Sequence, residues 1–432
     1  MLKRLYKICF YLFFAFLPLQ VDVLLFVSDV YDVGFFNPYL SHFLYLSDVM
    51  LVLGFVFFGL DLFLSDKPMF SEKFAIGDKK IFYFLCFFFL SFCLSLSFSE
   101  NFTNSIFYIL RFFEFFVVYL FVVNKTIDMR KVLIIFCSVM FLEAVIGISQ
   151  YVLQESLGLR FFGEPVINSH ILGVAKVDFM NMKFLRSYGT FPHPNIFAGY
   201  LVFAIFSIMY LFRSFSKISS FFISVFLIAL FLTFSRTGLI AFVIGSFIFS
   251  LFVLKKLNRW KLLKISLLIL GCAMLFLFLI KGFPLFIERI NSIDVESLRY
   301  RVMYLVIGFA MFFQNPFGVG VGNFTDVMQN FSILKLSPWE IQPVHNIFVL
   351  SLAELGMIGF VALVSLFVYL FVYSFKTKNP FFIVICFMLL VLGSFDHYLF
   401  TLYQGQALFW LSICALYPFK NSLSDIEFLP SI

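Results

Sequence analysis

Charge is scarce in this chain. Of 432 residues only 13% are Asp, Glu, Lys or Arg, about half the share of a soluble domain. Hydrophobic residues make up 62%, and the mean hydropathy is +1.03. Such a balance excludes an ordinary water-soluble globule. Cysteine chemistry is missing too: the seven cysteines all fall in apolar runs without a CxxC pair, which leaves them as small buried hydrophobes rather than disulfides or metal ligands. The five histidines show no helical or short metal spacing, and Asp29 with Asp32 is too loose a pair, so neither metal nor cofactor is expected. The net charge of +7 comes without a dense basic run, so no nucleic-acid partner is expected. Internal repeats, low-complexity tracts and a separate soluble domain are absent. A small-residue cleavage site is also absent after Lys3, Arg4, Lys7 and the apolar residues 8–19, which makes this segment a first span rather than a signal peptide.

What the chain has in plenty is apolar length, including 72 phenylalanines that serve as lipid-compatible filler. Runs long enough to cross a bilayer fall near residues 5–27, 43–63, 80–98, 106–123, 131–152, 194–212, 219–234, 237–254, 262–280, 346–373, 380–397 and 403–418. The expected fold is all-α: a polytopic integral membrane protein of about twelve transmembrane helices, forming one transmembrane domain over residues 1–432. Twenty Lys and Arg residues fall on one side of that map and ten on the other. Positive charge marks the cytoplasmic side, so both termini are expected in the cytoplasm and the long loops 153–193 and 281–345 outside. Residues 298–313 are apolar enough to be mistaken for a span. Crossing there would invert the charge bias that follows, so a helix at the outer surface is expected instead.

Arginine is distributed unevenly. Sixteen of the twenty inner basic residues are lysine, whereas six of the ten outer ones are arginine: Arg160, Arg186, Arg236, Arg289, Arg299 and Arg301. A point charge suffices to set orientation, while the planar guanidinium fork binds phosphate or carboxylate through two bonds. Arg236 is the sharpest case. It is the single charge in the 34 residues from Ser219 to Phe252, a run of roughly 50 Å as helix against a ~30 Å hydrocarbon layer. The run must fold back at Thr233-Phe234-Ser235-Arg236-Thr237-Gly238, and a charge held there is a functional candidate. Simple pairing with outer acids is the bland alternative for the other outer arginines; Arg236 has no acid within fifty residues on either side. Three further stretches stand out: Arg186 to Asn195, with two prolines suited to a helix start; Arg299 and Arg301 ahead of Asn315-Pro316-Phe317-Gly318-Val319-Gly320-Val321-Gly322-Asn323-Phe324; and Pro343-Val344-His345-Asn346 followed by Glu354-Leu355-Gly356. The triple glycine lacks the strand of a nucleotide loop and points to close backbone approach to a neighbouring helix or a partner. A lone His at a helix start, as at His345, is often only structural.

In this order the four stretches resemble the O-antigen ligase and O-antigen polymerase superfamily, whose conserved region corresponds here to residues 186–365, including the outer loop 281–345. Beyond that region the agreement is only in apolar spans. The resemblance implies glycan transfer on the outer face of the cytoplasmic membrane, in cell-surface polysaccharide biosynthesis. The donor is a glycan on undecaprenyl pyrophosphate, the acceptor a sugar hydroxyl on a lipid or another carrier-linked glycan, and other polysaccharide-assembly proteins are possible partners. It further implies that Arg236 and Arg301 bind the pyrophosphate and that His345 is the base, with Arg186, Arg299 and Asn346 as further substrate contacts. A Trp common after the second arginine is replaced here by Tyr304 or Leu305. Arg299 and Arg301 therefore both stand as candidates, Arg301 fitting the distance to Pro316 better. His345 also suits the base role on intrinsic pKa, and its place in the first turn of a helix from Pro343 would disfavour its protonated form. Two other readings compete: a metal-dependent lipid-linked glycosyltransferase using the first outer loop, and a transporter or flippase. A transporter of two halves usually carries a long inner link midway, where this chain has only a few residues.

Overall fold

The computed structural model describes residues 1–27, 39, 41–64, 74–179, 182–212, 216–253 and 295–417. Among them the chain is mostly helical. The longer helices are α1 (Leu2–Phe16), α2 (Leu46–Leu64), α3 (Lys79–Ser95), α4 (Phe102–Val123), α5 (Met129–Leu153), α6 (Pro194–Leu211), α7 (Lys217–Leu232), α8 (Arg236–Val253), α9 (Val295–Gln314), α10 (Ile347–Thr377), α11 (Pro380–Phe395) and α12 (Tyr403–Ala415), and two small hairpins lie among them. The hairpins pair β1 (Asp22–Val27) with β2 (Ser41–Tyr45) and β3 (Lys176–Phe179) with β4 (Met182–Leu185), both antiparallel. Among the described residues, six helical stretches are long and apolar enough to cross a membrane: Leu46–Leu64, Lys79–Phe98, Phe102–Val123, Met129–Leu153, Pro194–Leu211 and Ile347–Thr377. Lys217–Leu232, Arg236–Phe252 and Pro380–Phe395 are apolar but shorter. The expected span 262–280 lies outside the described residues.

The first expected span, 5–27, is a helix only to Phe16; residues 22–27 are strand. Pro18 supplies no backbone donor and disfavours helix in the residue before it, and the chain beyond pairs with β2 instead. The run from Ser219 to Phe252 does break at the polar cluster, α7 ending at Leu232 and α8 beginning at Arg236. Its two arms hardly touch each other. α7 lies on α5 and α6, while α8 lies on α6 and α11. A Cβ on Gly238 would sit 2.6 Å from that of Ala198, and one on Gly245 2.7 Å from the Phe206 ring, so two glycines let α8 close onto α6.

The 298–313 segment is helical, as expected, within α9, which packs on α10. The triple glycine that follows makes the expected close approach. Gly318, Gly320 and Gly322 all have positive φ, a conformation side chains resist. Their loop docks where α10 is interrupted by Gly356 (φ 65°): Val319 N donates to Ala353 O and Gly320 N to Glu354 O, both at 3.0 Å, and Met357 N to Pro316 O at 3.1 Å. The buried Glu354 carboxylate accepts from Phe324 N at 3.1 Å. The loop's other side is held at the α3–α4 turn, where Ser105 donates to Val321 O at 2.8 Å and Asn323 to Ser99 Oγ at 2.8 Å. Ala353 O, Glu354 O and Met357 N, freed at the break in α10, thus find partners in the loop, as burial requires.

Candidate functional site

The loop between β4 and α6 is built from below by α5. Gln150 Oε1 accepts from Tyr188 N and Gly189 N, at 3.2 and 2.9 Å, and its Nε2 donates to Gly189 O at 2.8 Å. Glu143, also buried, accepts from the amide and hydroxyl of Thr190 at 2.8 and 2.9 Å. Thus fixed, the loop presents Arg186, His193 and Asn195. Arg186 donates to Thr233 O at 2.6 Å and to Asn195 Oδ1 at 2.9 Å, tying the turn ahead of α8 to the start of α6. His193 caps α6, its Nδ1 accepting from Asn195 N at 3.1 Å, which places the proton of the neutral ring on Nε2.

Asn195 leads to a residue the sequence reading did not single out. Its Nδ2 donates to Asp396 Oδ2 at 3.0 Å. Asp396 ends α11 in extended conformation, and its Oδ1 accepts from His397 N at 2.8 Å. The His397 ring is anchored by Thr401 Oγ1 at 2.6 Å and meets the His345 ring edge-on, centroids 4.9 Å apart. His345 in turn lies parallel to Tyr304, at 5.9 Å and 9°. One turn before Tyr304 on the same face of α9, Arg301 donates to Phe395 O at 3.3 Å and makes no ion pair among the described residues. His193, Asn195, Arg301, Tyr304, His345, Asp396, His397 and Thr401 line a single cavity of about 1410 Å³, larger than the ~300–1,000 Å³ usual for a small ligand.

The electrostatics favour neutral imidazoles beside a fixed anion. Burial lowers the His345 pKa from its ordinary value; the Asp396 carboxylate pulls it back up and Arg301 pushes it further down. Burial likewise depresses His193, and it takes His397 down to about 3. For Asp396 burial alone would raise the carboxyl, but His397, His345, His193 and Asn195 together hold it below the usual range. Among the described residues, His345, Asp396 and His397 are also the group able to share a cation, one ligand atom of each lying within 4.8 Å of the others. Short sequence spacing did not reveal it, because the ligands come from segments about fifty residues apart. The adjoining Arg301 guanidinium opposes a divalent ion there.

A second arginine lines the same cavity among different neighbours. Arg111 of α4 is clasped by Asp48 at 2.6 Å and Glu114 at 2.7 Å and lies over the Tyr403, Phe107 and Tyr45 rings at 4.7, 5.3 and 5.7 Å. Thr401 marks the border, its hydroxyl bonded to His397 and its carbonyl accepting from Tyr108 at 3.2 Å.

Of the residues singled out in the sequence, His345 and Arg301 face the cavity. His345 is not in a helical turn: α10 starts at Ile347, with Asn346 as its cap. The Asn346 Oδ1 accepts from Phe348 N and Val349 N at 2.9 and 3.0 Å and its Nδ2 donates to Ser394 O at 3.0 Å, so its side chain is spent on holding α10 against α11. Arg299 is exposed and outside the cavity wall, beside Glu340. Arg236 is exposed at the start of α8, on the turn that Arg186 ties to Asn195.

No curated protein matches the chain. The family model described as O-Antigen ligase matches residues 220–364, a span that runs from α7 through Arg236, Arg301 and His345 into α10 and stops short of Asp396 and His397. Over that stretch, about a third of its length, the chain is similar to the O-antigen ligase family, and its long apolar helices are those of a multi-pass membrane protein.

Proposed function

We propose that the protein transfers a glycan from an undecaprenyl pyrophosphate carrier to a sugar hydroxyl on the outer face of the cytoplasmic membrane, with His345 as general base and no metal. The observation that carries this reading is the convergence of Arg301, His345 and Asp396 on one cavity. The acceptor oxygen bonds to the anomeric carbon while the carbon–oxygen bond to pyrophosphate breaks, the leaving group keeping the electron pair. Its charge falls to Arg301 and, from the neighbouring turn, to Arg236. The acceptor proton passes to His345, and the imidazolium so formed is stabilised by the Asp396 carboxylate, while Asn195 and His397 hold that carboxylate in place. On this reading both termini are cytoplasmic and the cavity opens outward.

The test is transfer by the purified protein from a pyrophosphate-linked glycan, with and without EDTA. His345→Ala should fold and bind donor yet lose about 10²–10⁴-fold in rate. Turnover near wild type in that variant removes His345 from the mechanism. The His345–Asp396–His397 group favours one second reading, metal-dependent transfer. Abolition of wild-type turnover by EDTA and its restoration by a divalent ion would establish that reading instead.

A further inference from the structure

The two arginines on the cavity wall differ in what they can receive. Arg301 donates to a main-chain carbonyl and has no carboxylate partner among the described residues, so it can meet an anion. Arg111 already holds two carboxylates, and a phosphate placed there would face both of them at close range. What surrounds Arg111 instead is aromatic. Tyr45 and Tyr403 are stacked at 3.9 Å, Phe107 lies against the His42 ring at 4.2 Å, and Tyr108 is half-buried beside them. Gln404 stands at this part of the wall, 1% exposed, its amide nitrogen without a hydrogen-bond partner. Leaving such a donor buried is costly, and cores seldom keep that cost without a use for the group. Aromatic faces with a few placed amide and imidazole groups, and no net cation to spare, suit the apolar face and hydroxyl rim of a neutral sugar ring.

We propose that the chamber around Arg111, walled by Tyr45, Phe107, Tyr108, Tyr403 and Gln404, is a subsite for a neutral sugar ring of the glycan. The cavity is thereby polarised, with phosphate at Arg301 and sugar at Arg111, and Arg111 with Asp48 and Glu114 serves to position the aromatic wall. This rests on the glycan-transfer reading and deepens it.

Binding can be tested without turnover, which separates failure of this subsite from failure of the catalytic assignment. The full chain in detergent is examined by saturation-transfer NMR against glucose, galactose, rhamnose, N-acetylglucosamine and N-acetylgalactosamine. At least one should take up saturation from the wild type, at least fivefold less from Phe107→Ala and from Gln404→Leu, and undiminished from Arg301→Gln. Gln404→Leu removes a buried amide whose nitrogen is unpaired, so its Tm should match or exceed the wild type while its sugar signal falls. Farnesyl pyrophosphate, whose phosphates go to Arg301, should leave the sugar signal in place; displacement of the sugar by it overturns the separation of the two ends. No signal from any of the five, a signal that survives both variants, or one lost only with Arg301 overturns the proposal.

Discussion

Replacing Asp396 by Asn removes one negative charge and leaves the shape of the corner between α11 and His397 almost unchanged. The ligand atoms of Asp396 and His345 lie within 4.8 Å. Two unit charges at that distance interact by about 3.5 kcal/mol at an effective dielectric near 20. His345 borders an open cavity, so about half of this, roughly 2 kcal/mol, is a fair expectation, or about 30-fold in the rate of a step that forms the imidazolium. The pH profile carries the more specific signature. Transfer needs neutral His345 and fails as pH falls through its pKa, which burial sets below the ordinary value and Asp396 raises. Removing the carboxylate therefore moves the acid limb of kcat/KM to lower pH, by about one and a half pH units for an interaction of this size. Arg301 acts oppositely on His345, so Arg301→Gln should move the limb upward while weakening donor binding. The assay is transfer by purified Asp396→Asn, Arg301→Gln and wild type across pH 4.5–8.5. A limb that stays fixed in Asp396→Asn, or moves upward, refutes the pairing of this carboxylate with His345, whatever the loss of rate.

Arg236→Lys keeps the charge and loses the two-pronged contact, so transfer should drop at least tenfold at unchanged protein level; normal glycan display by that variant would remove Arg236 from pyrophosphate binding. Gly356→Ala forces a side chain into positive φ and into the Pro316–Phe317 backbone, and should destabilise by about 2–4 kcal/mol, read as a lower Tm in detergent; an unchanged melt would mean the docked loop gives way easily. In a cysteine-free background, Lys335→Cys should react with an impermeant maleimide in whole cells and Lys378→Cys only after permeabilisation, and the reverse pattern would invert the proposed orientation.

Much of the fold was legible because apolar length and its interruptions are local properties. The break at Ser235–Arg236, the helix over 298–313 and the glycine loop set close against a helix all follow from sequence near the feature itself. Where the reading erred, short-range chemistry overrode hydropathy. Pro18 and strand pairing shortened the first helix. Asn346 took the cap and put the start of α10 beyond His345. The 31-residue α10 reads as one apolar run, yet bends at Gly356, because a loop some forty residues upstream supplies the missing backbone partners.

The site was legible by half, and the missing half has one physical cause. Arg301 and His345 announce themselves: arginine is costly where the charge bias disfavours it, and a histidine preceding a long apolar run is conspicuous. His193, Asp396 and His397 do not, because each also reads as an ordinary element terminus. His193 does cap α6, and Asp396 does end α11. Only the packing of α6 against α11 brings their capping segments together, so that Asn195 reaches Asp396 across 201 positions of sequence. Asn346 errs in the opposite sense, since adjacency to His345 suggested a shared role while its side chain serves the backbone. In a bundle of spanning helices the polar groups that survive are mostly at helix ends, where capping and chemistry call for the same residue types. A carboxylate at such an end that is buried, faces three histidines and still accepts from an asparagine of another helix has more partners than a cap needs, and that surplus marks Asp396 as part of the site.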